Sequence, residues 1–319
     1  MDRDGIAFVE QGLERRAALR HRAGDLAERS DARAVPFWKG KPGLREADGT
    51  LAPLWLPLAH DLLSEAHAPP IFLGMDGDAP RFACDVSGWD DPQADGDALR
   101  AFIDRSVNRH PSFGPGEGFH ALRPALARLS PGDAGDLGTA RALMEWHRTH
   151  GFCANCGSAS APAAGGWQRD CPACGRHHFP RVDPVVIMLV THGDDVLLGR
   201  SPGWPEGMYS LLAGFVEPGE TLEAAVAREV LEETDITVED VRYVAGQPWP
   251  FPSSLMIGCA ARATGREITV DPTELEGALW ISRERCLASL RGEDPGISAA
   301  RPGAIARSLL EMWVRGEIS

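Results

Sequence analysis

The stretch 214–236, GFVEPGETLEAAVAREVLEETDI, carries two instructions that ordinarily exclude each other. Stepping by three or four residues from Leu222 gives Leu222, Val226, Glu229, Glu233 and Ile236, which share one helical face. That face begins and ends apolar, as a helix laid on a core must, yet holds two carboxylates in its middle. An unpaired buried carboxylate costs far more than its neighbours gain by burial, so a fold using this helix must bring something positive to it. Gly214 and Gly219 permit a tight loop ahead of the helix, and Thr221 is the expected N-cap. Glu229, Glu232 and Glu233 stand at i, i+3 and i+4. Hard oxygen donors crowded in this way select Mg2+ or Mn2+, held together with substrate phosphates.

A second metal pattern lies upstream, where Cys153 and Cys156 form one Cys-x2-Cys knuckle and Cys171 and Cys174 another. Each knuckle is followed by glycine, which tolerates the turn that aims both sulfurs at one ion. Four thiolates at this spacing predict tetrahedral zinc, and because protein fills every position the site is structural rather than catalytic. Histidines 177 and 178 beside the ribbon are surplus to that ligand set. Cys84, Cys259 and Cys286 are expected to be inert, partly buried thiols.

With 319 residues, 43% of them hydrophobic and 24% charged, the chain has the profile of a globular protein with room for two domains. The N-terminus lacks the apolar run of a signal peptide and no stretch is long enough to span a membrane, so a soluble, cytoplasmic protein is expected. The net charge of −14 argues against broad, charge-driven nucleic-acid binding. It leaves a phosphate substrate open, because a divalent cation bridges acidic protein to acidic ligand.

Short apolar runs at 53–58 and 69–75 predict strands of an N-terminal α+β domain over 1–140, whose chemistry the residues do not declare. Helical spacing over 138–152 leads into the ribbon, giving a linking segment over 141–180. Beyond it, 181–319 reads as an α/β sandwich with a mixed sheet. Strands are expected at 184–190, 194–201, 208–214, 240–246, 254–263 and 277–282, with a closing helix over 302–315.

The stretch beginning at Gly214 resembles the Nudix box, Gx5Ex7REUxEExGU with U a bulky aliphatic residue. It departs only at the last glycine, which is Asp235 here. That position lies at the helix end, where a left-handed residue is often wanted, and Asp tolerates this better than most residues, at roughly 1 kcal/mol. The resemblance implies that Glu229, Glu232 and Glu233 hold divalent cations together with the carbonyl of Ala213, and that Glu220 pairs with Arg228. A following stretch, GQPWPFPSS, is similar to the SQPWPFPxS marker of the NADH pyrophosphatase (NudC-type) branch, with Gly246 in place of the first serine. The same branch carries a four-cysteine ribbon ahead of its catalytic domain.

Membership implies more. Gln247, Pro248, Trp249, Pro250, Phe251, Pro252, Ser253 and Ser254 would line the dinucleotide pocket. Phe179 and Phe215 would stack on nicotinamide, Ala306 would touch substrate, and Glu274 would be a further metal ligand. The implied reaction is hydrolysis of the NADH or NAD+ pyrophosphate to AMP and nicotinamide mononucleotide, with NAD-capped RNA as a second substrate. Glu233 is the residue nearest the attacking water, as ligand or as base. Relatives are homodimers that share the nicotinamide site. A broader dinucleotide or ADP-ribose pyrophosphatase remains the alternative among enzymes. A nucleotide sensor or RNA-binding zinc-ribbon module remains the alternative outside them.

Overall fold

The computed structural model describes residues 5–100, 104–298 and 300–318. The chain divides into two compact units, Met1–Ala7 with Val182–Trp249 and Ser254–Ser319 in one, and Phe8–Arg181 with Pro250–Ser253 in the other. Its class is α/β. The main cut falls between Arg181 and Val182, and residues 141–180 stay with those before them. The ribbon clusters with the N-terminal residues, while a short N-terminal stretch joins the C-terminal unit, Ile6 bridging Gly303 in parallel.

In the C-terminal unit, strand Asp183–His192 lies at the centre of a mixed sheet. It runs parallel to Ser254–Ala263 and antiparallel to Leu212–Phe215 and Asp195–Arg200. Strand Val238–Trp249 and strand Gly277–Ser282 close the two edges. Alternation along the strands sends Val186, Met188, Val190, Cys259 and Ala261 to one face, where helix Leu222–Thr234 buries Ala225, Val226 and Val230. The opposite face meets helix Ile305–Val314. Gly258 is the point of closest approach there, since a Cβ on it would stand 3.0 Å from Ile305 and 3.2 Å from Leu309. Two helical layers on one sheet make the expected sandwich. Helix Arg283–Leu290 was not foreseen; Ser282 caps it by accepting from the Arg285 N–H. The expected strand at 208–214 begins only at Leu212.

The other unit is built on a sheet of eight described strands, in which Arg33–Trp38 pairs in parallel with Ala79–Asp85. Trp38, Phe72, Phe82 and Phe119 fill its core. The expected helix over 138–152 runs instead from Pro131 to Thr149, with Ser130 accepting from the Asp133 N–H and proline at the first turn. Its glycines hid that start, and they serve close packing. A Cβ on Gly135 would fall 1.7 Å from the Glu10 carbonyl, and one on Gly138 would fall 2.6 Å from Phe8. The ribbon follows as three short antiparallel strands, Ala161–Ala163, Gln168–Asp170 and His177–His178.

Candidate active site

Helix Leu222–Thr234 starts where the sequence places it, with the Thr221 side chain accepting from the Ala224 N–H. The mixed stripe is buried from Val226 onward: Val226, Glu229, Glu233 and Ile236 are all shielded, and Leu222 is partly so. Glu229 turns back toward the preceding strand, where a Cβ on residue 214 would collide with its carboxyl group at 1.9–2.2 Å. Gly214 is therefore required by the carboxylate beside it. At the far end, Asp235 adopts the left-handed conformation (φ 59°, ψ 25°) and donates its N–H to the Leu231 carbonyl. The substitution at the last box position keeps the glycine geometry.

Glu274 reaches this helix by a backbone strap. The Thr269 N–H donates to the Thr234 carbonyl and the Asp271 N–H to the Glu233 carbonyl, satisfying acceptors that a helix end leaves open. The loop then turns at Asp271, whose side chain accepts from the Thr273 N–H at 2.8 Å. Carboxylate oxygens of Glu229, Glu233 and Glu274 thus converge within 4.8 Å of one another. Glu232 is outside this trio. Its carboxylate faces solvent and accepts from Arg228 Nη1 at 3.0 Å.

Arg228 organises the remaining acids. Its Nε and Nη2 donate to the two oxygens of Glu220 at 2.7 and 2.9 Å, its Nη2 also to the Phe215 carbonyl, and its Nη1 to Glu229 at 2.9 Å. This fork draws the Glu220 carboxyl down to about 2 and holds Arg228 firmly charged. Glu233 receives no such help. Burial first, then the charges of Glu229, Glu274 and Glu232, push it up to about 8. Its Oε2 is buried with no hydrogen-bond partner among the described residues. An orphaned oxygen inside a cluster of three acids fits a hard divalent cation, which would relieve both the desolvation and the repulsion. Glu229, Glu233 and Glu274 are the residues that would hold such a cation.

The four cysteines fit zinc equally well. Their sulfurs gather within 4.8 Å, with Cys153 to Cys174 at 3.6 Å and Cys156 to Cys171 at 3.5 Å. A zinc–sulfur length of about 2.3 Å in a tetrahedron asks for roughly 3.8 Å. The two knuckles share one hydrogen-bond scheme: Gly157 N–H donates to the Cys153 carbonyl and Gly175 N–H to the Cys171 carbonyl, both at 2.9 Å. Both glycines have positive φ, 75° and 71°. His178 stands behind the cluster, its Nε2 3.2 Å from Cys153 Sγ. Cys84, Cys259 and Cys286 are buried, and burial raises all three thiols.

The residues expected to contact substrate are distributed over both units. Phe215 is 59% exposed on the strand that carries Ala213 and Gly214, and Phe179 is 67% exposed on the ribbon. Pro248 and Trp249 end one strand and Ser254 begins the next. Gln247 and Ala306 are buried. The turn Pro250–Ser253 clusters with the N-terminal unit. There the Phe251 ring is flanked by the guanidinium groups of Arg123 at 4.4 Å and Arg141 at 4.8 Å, and Arg141 donates to the Pro250 carbonyl. With Lys39, Lys41 and Pro252, these residues line a cavity of about 330 Å³. The sequence reading missed this cavity, which Asp104 and Glu145 line as well, Asp104 ion-paired with the buried Lys41. Its signal was that both lysines of an arginine-rich chain lie at 39 and 41.

Comparison with known proteins agrees with this architecture. Family models match the NUDIX domain over residues 180–299, the NADH pyrophosphatase zinc ribbon over 148–179, and the NADH pyrophosphatase-like rudimentary NUDIX domain over 31–146. The chain is 41% identical over 204 residues to a NAD-capped RNA hydrolase NudC of Stutzerimonas stutzeri, covering 64% of this chain and 70% of that one. It is 47% identical over 207 residues to the human NAD-capped RNA hydrolase NUDT12, covering 61% of this chain and 45% of that one. The match thus spans a little under half the length of the human relative. Among solved structures, a NUDIX hydrolase from Nitrosomonas europaea aligns over 52% of this chain and 93% of its own, at 24% identity and a TM-score of 0.42. With two thirds of the bacterial relative covered and all three domain models matched in order, this chain belongs to the Nudix family, in its NADH pyrophosphatase branch.

Proposed function

We propose that this protein is a metal-dependent hydrolase that cleaves the pyrophosphate of NADH or NAD+ to nicotinamide mononucleotide and AMP, and that it removes NAD caps from RNA. One observation carries the reading: three carboxylates converge around a buried Glu233 oxygen that has no partner among the described residues. A protein that only needed a stable helix would place aliphatic side chains there.

Divalent ions bound by such a cluster neutralise a diphosphate and acidify a coordinated water. The chain's own residues do the rest. Glu229, Glu233 and Glu274 hold the ions, with Glu232 at the solvent edge of the same helix and the Ala213 carbonyl as a backbone donor. Arg228 fixes the direction of Glu229. Glu233 lies nearest the attacking water, as ligand or as base. Phe215 and Phe179 offer their rings to nicotinamide, and the working form is a homodimer. Residues 247–254 and Ala306 shape the dinucleotide pocket. The ribbon zinc is structural, and the enzyme works in the cytoplasm.

Purified protein given Mg2+ or Mn2+ should hydrolyse NADH and NAD+ faster than ADP-ribose or diadenosine polyphosphates, and should release the nicotinamide nucleotide from NAD-capped RNA. Glu233→Gln should abolish turnover while zinc content and melting temperature hold. Failure of the metal-loaded wild type to cleave any of these substrates would sink the proposal. Faster cleavage of ADP-ribose would move it to the broader pyrophosphatase.

A further inference from the structure

Gln247 is 1% exposed, one residue before the proline-rich stretch. Its side-chain amide is already engaged by backbone from three places. Nε2 donates to the Ala7 carbonyl at 3.0 Å and to the Gly303 carbonyl at 2.7 Å. Oε1 accepts from the Ile305 N–H at 2.9 Å. Ile305 opens helix Ile305–Val314, whose N-cap residue, Ala304, has no side chain able to accept from it. Gln247 therefore caps that helix from a neighbouring strand. The Ala7 N–H also donates to the Gly303 carbonyl, at 3.0 Å, so the amide closes a small ring of backbone contacts.

This combination demands a primary amide. Glutamate at neutral pH donates nothing, leucine neither donates nor accepts, and asparagine is a methylene shorter. Both amide hydrogens are used, which leaves Gln247 without a donor for a ligand.

We propose that Gln247 is a positioning residue for the hydrolysis proposed above, on which its catalytic consequence rests. It locks the start of helix Ile305–Val314, and with it Ala306, to the strand that runs out to Pro248 and Trp249. It also ties down the stretch at Ile6–Ala7. The residue holds the pocket wall in register and does not contact the dinucleotide.

The test compares full-length wild type, Gln247→Leu and Gln247→Glu, by amide hydrogen exchange over residues 301–309 and by steady-state hydrolysis of NADH. In Gln247→Leu, exchange at Ile305 should rise about 10-fold or more and kcat should fall about 10–100-fold, with KM within about 3-fold of wild type. In Gln247→Glu, activity relative to wild type should recover as pH falls, because a protonated carboxyl regains one donor. That recovery is absent if the site merely needs filling, and keeps the idea testable should Gln247→Leu fold poorly. A raised KM with unchanged kcat and unchanged exchange would mean that Gln247 touches substrate, and overturns the proposal. So would no change in any of the three readouts. A wild type inert toward NADH overturns the proposed function instead, and the exchange measurement alone then decides whether Gln247 is the lock.

Discussion

Gly214 and Glu229 share one space: the carboxyl carbon of Glu229 stands 1.9 Å from where a Cβ on residue 214 would lie. A loop residue thereby sets the direction of a helix carboxylate fifteen positions later in the chain. Gly214→Ala should push Glu229 out of the trio it forms with Glu233 and Glu274. Hydrolysis should fall at least about 100-fold, and Mn2+ binding read by calorimetry should weaken in parallel. Circular dichroism and zinc content should stay as in wild type, since strand and ribbon are untouched.

Asp235 holds φ at 59°, a conformation that glycine adopts without strain. Asp235→Gly should stabilise the protein by about 0.5–1 kcal/mol through relief of that strain, partly offset by the greater freedom of unfolded glycine. Chemical denaturation would read this as a higher midpoint at unchanged slope. A lower midpoint would show that the Asp235 side chain does something the backbone geometry does not require.

His178 Nε2, 3.2 Å from Cys153 Sγ, is placed to donate to a zinc-bound thiolate and spread its charge. His178→Phe should accelerate zinc loss to a chromogenic chelator by roughly 10-fold or more. Stripping the zinc altogether should remove exchange protection from Ala161–Ala163, Gln168–Asp170 and His177–His178, because these strands are too short to persist alone. Protection in helix Leu222–Thr234 should survive.

Asp136 is 6% exposed in helix Pro131–Thr149 and accepts from the Gly12 and Leu13 N–H groups. Burial outweighs those bonds and raises its carboxyl from 3.8 to about 6. A raised folded value means that the native state holds the proton more tightly than the unfolded chain. Its stabilising contribution is therefore present in full below about pH 4 and is lost as pH rises through about 6. Asp136→Asn should remove roughly 2 kcal/mol of that pH dependence between pH 4 and 6.5, measured as the wild-type minus variant difference in unfolding free energy.

Part of each candidate metal site was legible in the linear chain because several of the donors are local. One helical turn sets Glu229 and Glu233 on a shared face, and one knuckle sets each cysteine pair, so residue spacing alone encodes the geometry. The strands Ser254–Ala263 and Gly277–Ser282 were legible for a similar reason, their apolar runs being short, β-branched or bounded by turns. Glycine-rich Pro131–Gly138 misled, since its helix is held by close contact with Phe8 and Glu10, far away in sequence.

What tertiary structure alone decided was which polar groups meet. It supplied the strap on the helix end that carries Glu274, expected only by resemblance, to Glu229 and Glu233, and left Glu232 to Arg228. It set two arginines against the Phe251 ring and engaged Gln247 with backbone. Contacts between residues distant in sequence depend on strand order and on where loops are tied down, and no periodicity records either.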